Sequence, residues 1–155
     1  VPRLGKPMII DESDGTDDAV ERALALGYAG ISAKNCKGVF RTLHSYRRVR
    51  EAGAILSSED LMNIPCVPLQ QDLAVAAALG IPHSERNGHH YIRAFEYFSA
   101  RERETALREQ PSLYRPEPPS VRISGGALDL ADVNGFGFGV RSEPDWSALE
   151  PAPPA

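Results

Sequence analysis

The sequence predicts an α/β chain of parallel strand–helix units, followed by a short helix and a β-hairpin. Three observations predict it. Strand and helix signals alternate three times over residues 7–82 and run into a fourth strand, the pattern of parallel βαβ units with right-handed crossovers. In each unit the polar residues gather just after the strand's C-terminal end, where barrels and open α/β sheets build their sites. Beyond residue 98 the alternation stops and turn residues take over.

Each element has a local reason. Pro7-Met8-Ile9-Ile10 is a short apolar run that ends in Asp11-Glu12-Ser13-Asp14-Gly15. Thr16 reads as the N-cap of the first helix, with Asp17 and Asp18 at its positive end. That helix carries Val20, Ala23 and Leu24 at helical spacing and stops at Gly27. Residues 28–33 form the second strand. The second helix carries Val39, Phe40, Leu43 and Tyr46 on one face, expected to be the inner one, and arginines on the other, and Gly53 follows it. Ala54-Ile55-Leu56-Ser57 is the third strand. Residues 67–79 form a third helix, apolar all round and hence more buried. Gly80-Ile81-Pro82 leads into the fourth strand segment, HSERNGHHY.

The remainder is shorter in range. SARERETALREQ, residues 99–110, is a charged helix. PSLYRPEPPS carries four prolines and is expected to break regular structure. Val121 to Leu130 alternates around Ser124-Gly125-Gly126 and reads as a hairpin. NGFGFGV is a glycine-spaced loop, and residues 141–155, ending EPAPPA, are expected to be disordered.

Composition narrows the function. The 155 residues are long enough for a real core, with an ordinary hydrophobic fraction of 42%. The net charge is −4 and there is no basic stripe, so nucleic acid is not an expected partner. The longest apolar stretch, Leu73 to Ile81, is too short to span a bilayer, so no membrane partner is expected. VPRLGKPMII lacks the apolar core of a signal peptide. Cys36 and Cys66 stand in unrelated contexts and fit a reducing, cytoplasmic setting.

The strand ends form a set. They offer Asp11 and Glu12; Lys34 and Lys37; Ser58, Glu59 and Asp60; then His83, Glu85, Arg86, Asn87, His89 and His90. Parallel neighbouring strands turn these groups toward one pocket, where carboxylates around an ammonium shift each other's pKa and support proton transfer. Each has a plainer reading too. Asp11 could cap the following helix, and Lys34 could snorkel to a neighbouring acid. Glu59 and Asp60 fit a helix start, Glu85 with Arg86 fits a surface ion pair, and Asn87-Gly88 fits a turn. His83, His89 and His90 could belong to a zinc hydrolase, but no HExxH or cysteine partner accompanies them. No dinucleotide fingerprint, GxSxG elbow or P-loop is present.

In chain order these segments resemble the enolase superfamily, in its mandelate racemase/muconate-lactonizing branch. IIDESDGT is similar to the fifth-strand segment of that family's barrel, ISAKNCKG to the sixth, ILSSEDL to the seventh and HSERNGHHY to the eighth. VRISGGALDLADVNGFGFGV resembles the family's C-terminal return. The likeness runs from about Pro7 to Val140, and the ordered set carries it rather than any one motif.

The resemblance implies the C-terminal half of a TIM-type (β/α) barrel over residues 1–98, with a helix, proline-rich loop and hairpin return over 99–140. It implies a Mg2+ ion with Asp11 as one ligand, Lys34 as the acid/base lysine, and Glu85 as the family's eighth-strand glutamate. Lys37, Ser58, Glu59, Asn87 and His89 are the implied substrate contacts. The implied reaction removes the proton α to a small carboxylate, leading to racemisation or epimerisation, cycloisomerisation, or dehydration. Lys34 would need a lowered pKa to act as a base, which a neighbouring divalent cation favours. Glu59 stands where racemase-type members carry a histidine. The other barrel half and a capping domain are expected in cis or in trans, and a homo-oligomer is possible. The rival expectation is a non-catalytic half-barrel that serves as an assembly or binding module through its open sheet edges.

Overall fold

A computed structural model of the chain describes residues 5–59, 63–86, 94–145 and 147. The fold is α/β. The elements are β1 (Ile9–Ile10), α1 (Ala19–Ala25), β2 (Gly30–Ala33), α2 (Val39–Glu51), β3 (Ile55–Glu59), α3 (Pro68–Ala78), β4 (Ser84–Glu85), α4 (Ala100–Glu109), β5 (Tyr114–Pro116), β6 (Pro119–Val121), β7 (Ile123–Ser124) and β8 (Ala127–Leu128). Short 3-10 turns cover Asn35–Lys37, Ala94–Tyr97 and Gly137–Gly139. The chain forms two compact units: Val1–Met62 with Val75–Asn87, and Asn63–Ala74 with Gly88–Ala155.

The first unit holds a four-stranded parallel sheet in the order β1-β2-β3-β4. Chain order and spatial order coincide because each strand returns through a helix to the edge of the one before it. Register aligns Ile10 with Ile31, Ile31 with Leu56, Ser58 with Ser84 and Glu59 with Glu85. Ile10, Ile31, Val20, Ala23 and Val49 form the core, with Leu56 packed on it. Alternation along a strand then sends Asp11, Lys34 and Glu59 to the other face. Gly30 permits the β2–β3 pairing, since a Cβ there would lie 1.8 Å from the Ile55 carbonyl oxygen.

Two helix expectations are corrected. Helix α1 starts at Ala19, with Asp18 rather than Thr16 at the N-cap. Thr16 instead donates its hydroxyl to the Asp18 carboxylate at 2.5 Å. In α2 the buried residues are Thr42, Ser45 and Val49, while Phe40 is 88% exposed and Leu43 is 42% exposed. The rotation of α2 follows from Arg41, which reaches buried Asp14 at 3.0 Å and the Thr16 carbonyl at 2.7 Å. These contacts tie the helix to the β1–α1 loop and turn the small residues inward.

The second unit packs Leu69, Leu73, Phe95, Ala106, Leu113, Tyr114 and Val133 together. Phe95 and Tyr114 meet edge to face at a 5.0 Å centroid distance. Helix α4 begins with a capping box in which Ser99 and Glu102 satisfy each other's backbone N–H groups. The expected hairpin is present as β7–β8. PSLYRPEPPS does not break structure as expected: β5 lies in it and pairs antiparallel with β6, which runs one residue past it, Tyr114 opposite Val121 and Arg115 opposite Ser120. Pro116 and Pro119 face each other at the turn end of this two-stranded ribbon, where a missing ladder N–H costs least.

Candidate functional site

Each strand of the sheet ends on, or one residue before, a charged side chain. Asp11 follows β1, Lys34 follows β2, Glu59 closes β3 and Glu85 closes β4. The first three converge. The Lys34 ammonium lies 2.7 Å from Asp11 Oδ1, 2.6 Å from Glu12 Oε1 and 3.0 Å from Glu59 Oε2. The lysine side chain is fully buried, Glu59 nearly so, and Asp11 and Glu12 open the cluster to solvent.

The electrostatics follow from this arrangement. Burial alone would pull the Lys34 pKa down, but hydrogen bonds to Asp11, Glu12 and Glu59 outweigh it and hold the value above that of an ordinary lysine. The lowered lysine pKa required of a base is therefore not found with three carboxylates around the ammonium; Lys34 keeps its proton in this state. Burial raises Asp11, yet its hydrogen bonds with Lys34 and Glu59 leave it below the usual carboxylate range. Glu59 goes up, first from burial and then from its contact with Asp11. The two carboxyls thus separate in acidity, with Glu59 the readier to carry a proton.

Asp11, Glu12 and Glu59 could hold a metal ion: one ligand oxygen from each lies within 4.8 Å of the others. The donors are all carboxylate oxygens, which suit a hard cation. The Lys34 ammonium engages the same three carboxylates, so cation binding and lysine charge compete there.

The other expected site residues are placed differently. Lys37 is exposed and donates to the Asp14 carbonyl at 3.1 Å, which braces the β1–α1 loop. Ser58 is completely buried, alternates away from Glu59, and accepts from the Ser84 hydroxyl at 3.2 Å. Glu85 is exposed and in register with Glu59 on the neighbouring strand. Asn87, His89, His90 and Asp60 lie outside the described residues. His83 is within hydrogen-bond distance of Ser57, Nδ1 to Oγ 3.0 Å, on the strand face that also carries Glu59. Glu12, named among the strand-end groups but given no role of its own, also reaches the lysine. Its only sequence signal is its place beside Asp11.

Fold and cluster together define an α/β chain with a lysine–carboxylate site at the C-terminal ends of parallel strands. Comparison with family models, with curated proteins and with solved structures finds no match. Among the described residues, no helix is long and apolar enough to cross a membrane.

Proposed function

We propose that this chain is the C-terminal segment of a magnesium-dependent enzyme of the enolase superfamily type, contributing half of a (β/α) barrel and acting on a small carboxylate. The observation that carries the reading is the meeting of Lys34 with Asp11 and Glu59, from three consecutive parallel strand ends. Motif order supports it, as does the parallel order of the four strands.

In this reading Asp11, with Glu12 and Glu59 beside it, would hold Mg2+. The bound ion would stabilise negative charge developing on a substrate carboxylate. Lys34 handles the proton. As the neutral amine it takes the proton from the carbon α to the carboxylate, and the C–H electron pair moves onto the carboxylate as an enediolate. As the ammonium it returns a proton to that carbon. Charge on the three carboxylates sets which form is present: they favour the ammonium, and neutralising them favours the amine. Glu85, at the outer strand end, is a second candidate for proton transfer.

The test is exchange of the substrate α-proton with solvent deuterium, followed by NMR. It uses a polypeptide that joins this chain to the complementary barrel half. Lys34→Ala should abolish exchange while the circular dichroism spectrum is retained. Exchange that survives Lys34→Ala would overturn the assignment.

A further inference from the structure

The second unit carries a cleft of about 840 Å³, a size typical of small-molecule sites. It shares no residue with the strand-end cluster. Apolar groups, among them Ile64, Val67 and Phe98, line it together with charged ones. Five carboxylates and two guanidiniums line it.

Both guanidiniums have an acidic neighbour within the cleft. Arg108 lies 3.7 Å from Glu109. Arg101 adds to the hydrogen bonds from Ser147 that hold the Asp145 carboxyl below its usual range. Glu102 is engaged in the α4 capping box. Glu104 and Glu143 have no cationic partner among the described residues, so the cleft keeps an excess of negative charge.

A second observation points the same way. Gln70 lines this cleft and is only 4% exposed, yet its Oε1 has no hydrogen-bond donor among the described residues. A buried amide oxygen left unpaired costs free energy, and a donor entering the cleft would relieve that cost. The terminal amide torsion is soft, so a small rotation can present the oxygen to such a donor.

We propose that this cleft binds a small organic cation that has an apolar body and N–H donors. The apolar walls take the body, Glu104 and Glu143 draw the charge, and Gln70 accepts a hydrogen bond. The site is independent of the proposed proton-transfer chemistry.

The test is a ¹⁵N–¹H NMR titration of the full chain with benzylammonium and, separately, with benzoate, which has the same ring and the opposite charge. Benzylammonium should give saturable shifts at α4 and around Gln70, and benzoate should not. The double substitution Glu104→Gln/Glu143→Gln should weaken binding roughly fivefold to tenfold. Gln70→Leu should weaken it too. If that buried substitution disrupts folding, the double variant decides alone, because both glutamates are exposed. Absence of saturable shifts at millimolar benzylammonium, equal binding of benzoate, or unchanged affinity in the double variant would each overturn the proposal.

Discussion

Lys34 and Glu59 meet at 3.0 Å from the ends of adjacent parallel strands, because Ser32 pairs with Ser57 and the two chains then run out in step. A shift of one residue in that register would send one of the two side chains to the opposite face. The site is thus a consequence of sheet register, and its energetics can be tested without knowing a substrate.

Replacing Lys34 by Met removes the ammonium held among Asp11, Glu12 and Glu59 and leaves their charges facing one another. The expected loss of stability at neutral pH is about 2 kcal/mol, less than for a fully buried pair because two of the carboxylates are solvated. The pH dependence has a definite sign. The raised Lys34 pKa gives stability that is complete below the unfolded value of 10.5 and is lost as pH climbs through the higher folded value. The lowered Asp11 pKa gives stability present above 3.8 and lost as pH falls through the folded value. Glu59, raised above 4.5, works in the opposite sense and is relieved in acid. Urea unfolding across pH should therefore show the widest gap between wild type and Lys34→Met near neutrality, narrowing toward both extremes. A gap that is independent of pH would contradict this assignment of charge.

The two cysteines should differ sharply toward iodoacetamide. Cys36 is exposed, whereas burial, with a smaller contribution from Glu102, pushes the Cys66 thiol up to about 12. At pH 8 only about one Cys66 in ten thousand would be thiolate, the reactive form. Mass spectrometry should find single alkylation at Cys36 in the folded chain and alkylation at both sites in urea.

Helix α2 offers a contrast within one element. Val49→Ala should cost about 2 kcal/mol, because Val49 sits in the core at 1% exposure. Phe40→Ser should change stability by less than about 0.5 kcal/mol, because Phe40 is 88% exposed. Denaturant midpoints read both effects, and a large penalty for Phe40→Ser would restore the helix face expected from hydrophobic spacing.

That contrast marks what the sequence makes legible. The meeting of Asp11, Lys34 and Glu59 could be foreseen because strand–helix repetition forces consecutive strand ends to be neighbours. The rotation of α2 could not, because one long-range contact, Arg41 to Asp14, overrides the apolar stripe of Val39, Phe40 and Leu43. Glu12 stands beside Asp11 among the strand-end groups, but only the course of the β1–α1 loop brings both adjacent acids onto the lysine. The β5–β6 hairpin is hidden in the sequence because prolines forbidden in a central strand are tolerated at the end of a two-stranded ribbon. The charge of Lys34 depended on how many carboxylates surround it, which no local pattern encodes.

The most direct test of the strand-end site is Mn2+-induced broadening in the ¹⁵N–¹H spectrum of the chain, with Mn2+ standing in for Mg2+. Broadening should centre on Asp11, Glu12, Lys34 and Glu59, strengthen in Lys34→Met, where the competing ammonium is gone, and disappear in Asp11→Asn/Glu59→Gln. Broadening centred elsewhere, or unchanged in the Asp11→Asn/Glu59→Gln variant, would contradict a cation site at these strand ends.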